Sequence, residues 1–113
     1  ARQITQQYTQ NNQLTCITLD PAIENRIAGA VQRTERGSYV SLDPDTMQKL
    51  LNALTRELQK LTDMGYQPIA LTSPTVRLYF RKLVERSVPG IIVLSHAEID
   101  QSVEIQIIGV VKL

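Results

Sequence analysis

Three times in this chain a short run of apolar residues closes on a capping residue followed at once by proline: Leu19-Asp20-Pro21, Leu42-Asp43-Pro44 and Thr72-Ser73-Pro74. Asp and Ser are favoured immediately before a helix, because their side-chain oxygens accept from its first free N–H groups. Proline suits the first helical position, where its missing N–H had no partner. The chain therefore marks three switches from extended or turn backbone to helix, which is the rhythm of an α/β domain. At 113 residues it is long enough for one such domain to bury a core without disulfides.

Between these switches the periodicity assigns the elements. Residues 1–13 carry Ile4 and Tyr8 four apart, as on one helical face, and the Asn11-Asn12 pair suits a helix end. The segment reads either as the tail of a helix that starts upstream or as a disordered end. Leu14–Leu19 is a β-branched strand. The helix after Asp20-Pro21 has Ile23, Ile27 and Val31 on its apolar side and is expected to end between Arg33 and Gly37. Ser38–Leu42 is a turn or a brief extended bridge. After Asp43-Pro44 comes the strongest signal: Met47, Leu50, Leu51, Leu54, Leu58 and Leu61 recur at steps of three and four, and Gly65 stands where a helix terminator belongs. This stripe is too short for a coiled coil and reads as a core face. Pro68–Thr72 is a second strand, and Pro74 to about Val88 a helix anchored by Val76, Phe80, Leu83 and Val84. Ile91–Leu94 is a strand apolar throughout, as in the middle of a parallel sheet. Ser102–Val111 is a fourth, with Gly109 marking a bulge.

Connection lengths then fix an expected topology. The helix between 69–72 and 91–94 is a crossover, so those strands run parallel. Only about eight residues separate the third strand from the fourth, short of the ~12 that a parallel crossover needs, so the last strand is expected antiparallel. The expected fold is α/β: a small mixed four-stranded sheet with helices packed on it.

The residues that could do chemistry are few. Twelve Lys and Arg stand against eleven Asp and Glu, a formal charge of +1 that argues against a protein built mainly to hold nucleic acid or an anionic membrane. A single cysteine and a single histidine cannot form an internal disulfide or a His/Cys metal cluster. Cys16, inside a strand with no CxxC partner, reads as a packed hydrophobe. His96 follows a strand, where α/β enzymes place catalytic groups, but no nucleophile motif accompanies it; a turn or capping role fits. The strand-to-helix joints hold proline where a phosphate loop holds glycine, which removes N–H donors. No catalytic, cofactor-binding or metal-ligating residue is expected. No run approaches ~18 apolar residues, so nothing in this stretch reads as a membrane helix.

One surface stands out. Arg77, Arg81, Lys82 and Arg86 make the third helix basic, with Glu85 placed to pair with Arg81. Three readings are open: a solvated face, a protein-contact face, or a nucleic-acid face. The last lacks an accompanying aromatic platform.

The order of motifs carries a resemblance. Gly37-Ser38-Tyr39 with Leu42-Asp43-Pro44, then Arg77, Arg81, Lys82 and Glu85, then Val93-Leu94-Ser95 with Glu98-Ile99, resembles the C-terminal end of the type III export-gate family. That family comprises the FlhA-like proteins of the bacterial flagellum and their virulence-injectisome counterparts. ARQITQQY and ITLDPAIE upstream are similar to it too, so the likeness covers essentially the whole chain. Ser73-Pro74 resembles the flagellar branch more than the virulence branch, and His96 stands where the family often has Tyr or Phe. The resemblance implies a non-catalytic subdomain, residues 14–113, with residues 1–13 the tail of a helix from the preceding subdomain. It implies a longer protein with an N-terminal membrane half, whose cytoplasmic half forms a homo-oligomeric ring at the cytoplasmic face of the inner membrane. That ring receives export substrates and chaperones, mostly through other subdomains. Partners are then neighbouring gate subunits and export components, with no nucleic acid and no cofactor. The chain's opening on Ala-Arg-Gln-Ile, without Met, fits a piece of a longer polypeptide. The competing class is a small phosphate-binding or hydrolytic α/β domain, which the missing glycine-rich loop and acid/base pair disfavour.

Overall fold

A computed structural model describes residues 13–113. The elements run β1 (Gln13–Leu19), α1 (Pro21–Gly29), β2 (Val31–Thr34), β3 (Gly37–Val40), α2 (Pro44–Asp63), β4 (Ile69–Thr72), α3 (Arg77–Val84), β5 (Ile92–Ser95), a 3-10 turn (His96–Glu98) and β6 (Glu104–Val111). The expected helical tail before Leu14 lies outside the described residues, apart from Gln13, which begins β1.

The leucine stripe forms α2 with the bounds its sequence signals suggest. Asp43 caps it through its side chain, accepting from the Thr46 N–H at 3.0 Å and the Thr46 hydroxyl at 2.6 Å. Those bonds, the hydroxyl's first, hold the Asp43 carboxyl below its ordinary range. Gly65 ends the helix with φ of 87°, a conformation open to glycine and strained for other residues. Leu50, Leu54 and Leu61 are buried, while Gln48, Lys49, Asn52 and Gln59 face solvent.

The other two capping joints behave differently. Asp20 makes no side-chain cap; its carbonyl accepts from Ile23 and Glu24, and its own N–H donates to Val111 O. Ser73-Pro74 opens a turn, and α3 begins only at Arg77 and ends at Val84, a shorter helix than the expected 74–88. α1 also stops early, at Gly29 rather than in 33–37. The residues beyond it form a β-hairpin in which Val31 pairs with Val40 and Thr34 with Gly37. Gly37 takes φ of 124° to close the turn, and the Thr34 hydroxyl donates to its carbonyl at 3.0 Å.

The sheet corrects the expected topology. Its order is β5-β4-β1-β6 and every pairing is parallel, so it is not mixed and the last strand is not antiparallel. The antiparallel expectation assumed that β6 would lie beside β5. It lies instead at the far edge, next to β1. Residues 96–103, which begin with the 3-10 turn, cross to it without an α-helix. Ile99 and Val103 of this strap pack on Leu14, Cys16, Ile69, Leu71 and Leu94. β5 is thus an edge strand, not the middle one. Its run is apolar because it has packing partners on both faces: Val93 with the helices, Leu94 with the strap's side.

The helices α1, α2 and α3 pack on one face. Ile17, Ala70, Val93 and Val111 of the strands meet Ile23 and Ile27 of α1, Leu50, Leu54, Leu58 and Leu61 of α2, and Phe80 and Val84 of α3. The bulge lies where Gly109 suggests it. The β1–β6 register shifts between Cys16, opposite Ile107, and Ile17, opposite Gly109, leaving Ile108 as the extra residue.

A candidate protein-contact surface

In a parallel α/β sheet, ligand chemistry belongs beyond the carboxyl ends of the strands. Here that end is occupied by the chain itself. The Ser73 N–H, which would face an anion after β4, donates to Glu24 Oε2 of α1 at 2.9 Å. The Asp20 N–H after β1 is taken by Val111 O at 3.0 Å. Pro21 and Pro74 supply no donor. After β5, Ser95 and Glu98 close a reciprocal capping box, with the Ser95 N–H donating to Glu98 Oε1 at 3.0 Å. The local sequence thus builds three self-satisfied corners rather than a phosphate cradle.

The remaining chemical candidates lie apart from one another. Cys16 is fully buried in β1 on the strap side of the sheet, and burial pushes its thiol up to about 11. It is a packing residue, poor as a nucleophile at neutral pH. His96 is exposed on the 3-10 turn, where its carbonyl accepts from the Ile99 N–H. Among the described residues, no group of three or more His, Cys, Asp or Glu side chains is placed to hold a metal ion, and no helix is long and apolar enough to cross a membrane.

The four cations expected as one face divide in two. Arg77, at the start of α3, is half-buried and its guanidinium lies against the Glu98 carboxylate, tying the helix to the 3-10 turn that starts the strap. Arg81 reaches Glu85 at 4.0 Å on an exposed surface. Lys82 and Arg86 are exposed and form no ion pair among the described residues. Arg86 lies beyond the end of α3. Arg77→Ala is expected to destabilise the chain by ~1–3 kcal/mol, because it strips a cation from a largely buried carboxylate. Arg81→Ala should stay within ~0.5 kcal/mol, as an exposed pair does. Urea unfolding of the two variants checks the contrast.

A second feature was not marked by the basic pattern. α3 packs against β3, and the seam between them is hollow. Tyr39 and Tyr79 stand on its two sides with Lys82, and Leu78 is 54% exposed at one end. The seam's signal in the sequence was Gly37, a turn former between two short runs.

These features define a class: an α/β domain whose strand-end N–H groups are taken by its own chain and whose surface carries a cluster of cations and tyrosines. The chain belongs to the FHIPEP family, whose model matches residues 1–104. This is a family of protein-export gates rather than enzymes. Among its relatives, the flagellar biosynthesis protein FlhA of Bacillus subtilis is 40% identical over all of this chain, and the low calcium response locus protein D of Yersinia pestis is 33% identical over 88% of it. The chain spans only 17% and 14% of those two proteins. Its fold is similar to that of CdsV in the Chlamydia pneumoniae CdsV and CdsO complex, with TM-score 0.85, 35% identity, 97% of this chain covered and 33% of that one. It is also similar to the nonameric EscV cytosolic domain of a type III secretion system, with TM-score 0.73, 26% identity, 97% of this chain covered and 32% of that one.

Proposed function

We propose that this chain is the C-terminal cytoplasmic subdomain of a flagellar type III export gate, acting by contact and not by catalysis. The observation that carries the reading is the end-to-end match, at 40% identity, to a flagellar relative. The subdomain is residues 14–113 together with Gln13, which begins β1, and the residues before it belong to the preceding subdomain. In the intact protein it sits at the cytoplasmic face of the inner membrane, within a ring like the nonamer of the EscV cytosolic domain. There its cations, Lys82 and Arg86 foremost, meet an acidic surface on a neighbouring subunit or an export partner. Arg is suited to such contacts because its planar fork takes a carboxylate bidentately. Partners then include neighbouring gate subunits, export chaperones and substrates, and a component comparable to the CdsO bound by CdsV.

A second reading, the equivalent subdomain of a virulence injectisome, draws support from the 26% identity to the EscV cytosolic domain from a type III secretion system. One exchange tests both. This chain replaces the aligned segment in Bacillus subtilis FlhA and, separately, in the Yersinia pestis protein. Restored motility with the first and failed secretion with the second is the expected result. The reverse pattern favours the injectisome, and failure of both with normal protein levels contradicts the export-gate reading.

A further inference from the structure

The hollow between the hairpin and α3 has the chemistry of a peptide site. Two adjoining cavities of about 160 and 300 Å³ share Ser38, Tyr79 and Lys82 in their walls. One holds Tyr39 and Leu83 as well, the other Pro74 and Leu78. Two large apolar side chains at its rim face solvent, with Tyr39 53% and Leu78 54% exposed. Tyrosine is over-represented where proteins bind proteins, since it gives broad contact area and a hydrogen-bonding tip at small entropic cost. Each hollow is sized for a side chain or two, and the pair is open along its length.

The charge of the rim has one sign. No carboxylate lines either cavity. Lys82 forms no ion pair among the described residues. The other cation at this seam, Arg77, is already matched by Glu98.

We infer that this groove receives a short segment of a protein partner that carries a carboxylate beside a large apolar side chain, the apolar group entering between Tyr39 and Tyr79 and the carboxylate meeting Lys82. The inference deepens the contact reading above and rests on it only in taking Lys82 as a contact residue.

The test uses the whole 113-residue chain and two probes: the blocked hexapeptide Gly-Asp-Leu-Asp-Phe-Gly and its counterpart with Asn for each Asp. Amide shifts are followed by NMR as each is added. The acidic peptide should move the signals of residues 38–40 and 78–83, and the neutral one should bind about two- to fivefold more weakly, as loss of an exposed ion pair implies. Lys82→Gln should erase that difference between the two peptides. Tyr39→Ser, also at an exposed position, should weaken both peptides. Equal binding of the two peptides, shifts confined to other residues, or none at these residues overturns the proposal. So does concentration-dependent shifting of the groove without peptide, which would make a second copy of the chain the occupant. The segment exchange reads export and this titration reads binding, so either can fail without the other.

Discussion

Leu54→Ala is expected to lower the unfolding free energy by ~2–5 kcal/mol, as truncation of a fully buried leucine does. Leu54 is 0% exposed, and its helix packs onto the sheet among Ile17, Ala70 and Val111. The lost methyl groups leave a void that a helix held along its whole length cannot close. Gln59→Ala, on the exposed side of the same helix, removes only a surface bond to Asp63 and should cost no more than ~0.5 kcal/mol. Urea denaturation separates the two. Similar small effects would mean that the leucine stripe is not the core.

The second effect is expected at the bulge. A methyl group on Gly109 would lie 2.1 Å from Glu57 Oε1 and 3.4 Å from Ile17 Cγ2. Glu57 is nearly enclosed, and the same oxygen takes Lys60 at 2.9 Å. Gly109→Ala must therefore swing the Glu57 carboxylate, the end of a flexible side chain paired with the exposed Lys60, at a cost of ~1 kcal/mol, the low end of overpacking. The cause is checked by a double-mutant cycle. If the clash is with Glu57, Gly109→Ala should cost much less in a Glu57→Ala background, and additive effects would place the strain elsewhere.

What could be read from the residues alone follows from how local each signal was. α2 was legible because its cap, its apolar stripe and its terminal glycine all lie within one continuous stretch. β1, β4 and β5 were legible as apolar runs between helix signals. The hairpin was not, because Val31 reads equally well as the next apolar position of α1, and two four-residue strands carry little alternation. The direction of β6 was not, because it depends on which strand it joins. That choice rests on Ile99 and Val103 packing across the sheet, contacts distant in sequence. The basic residues of α3 were legible as residues but not as a set. Only the fold brings Glu98 to Arg77, removing one cation from the surface, and only the hairpin gives Tyr79 and Lys82 their opposite wall. The closed strand ends were half-legible: the prolines announced missing donors, whereas Glu24 taking the Ser73 N–H spans separate elements.

The contact role proposed for Lys82 and Arg86 is open to direct measurement. The most direct measurement is flagellar export by Bacillus subtilis FlhA carrying this chain in place of its own segment, with Lys82→Glu and Arg86→Glu introduced together. Both side chains are exposed and outside any ion pair among the described residues, so the thermal midpoint of the isolated chain should move by no more than about 2 °C. Export should fall sharply relative to the unmutated exchange. Export at the unmutated level would contradict the account and leave those cations as plain solvated charge.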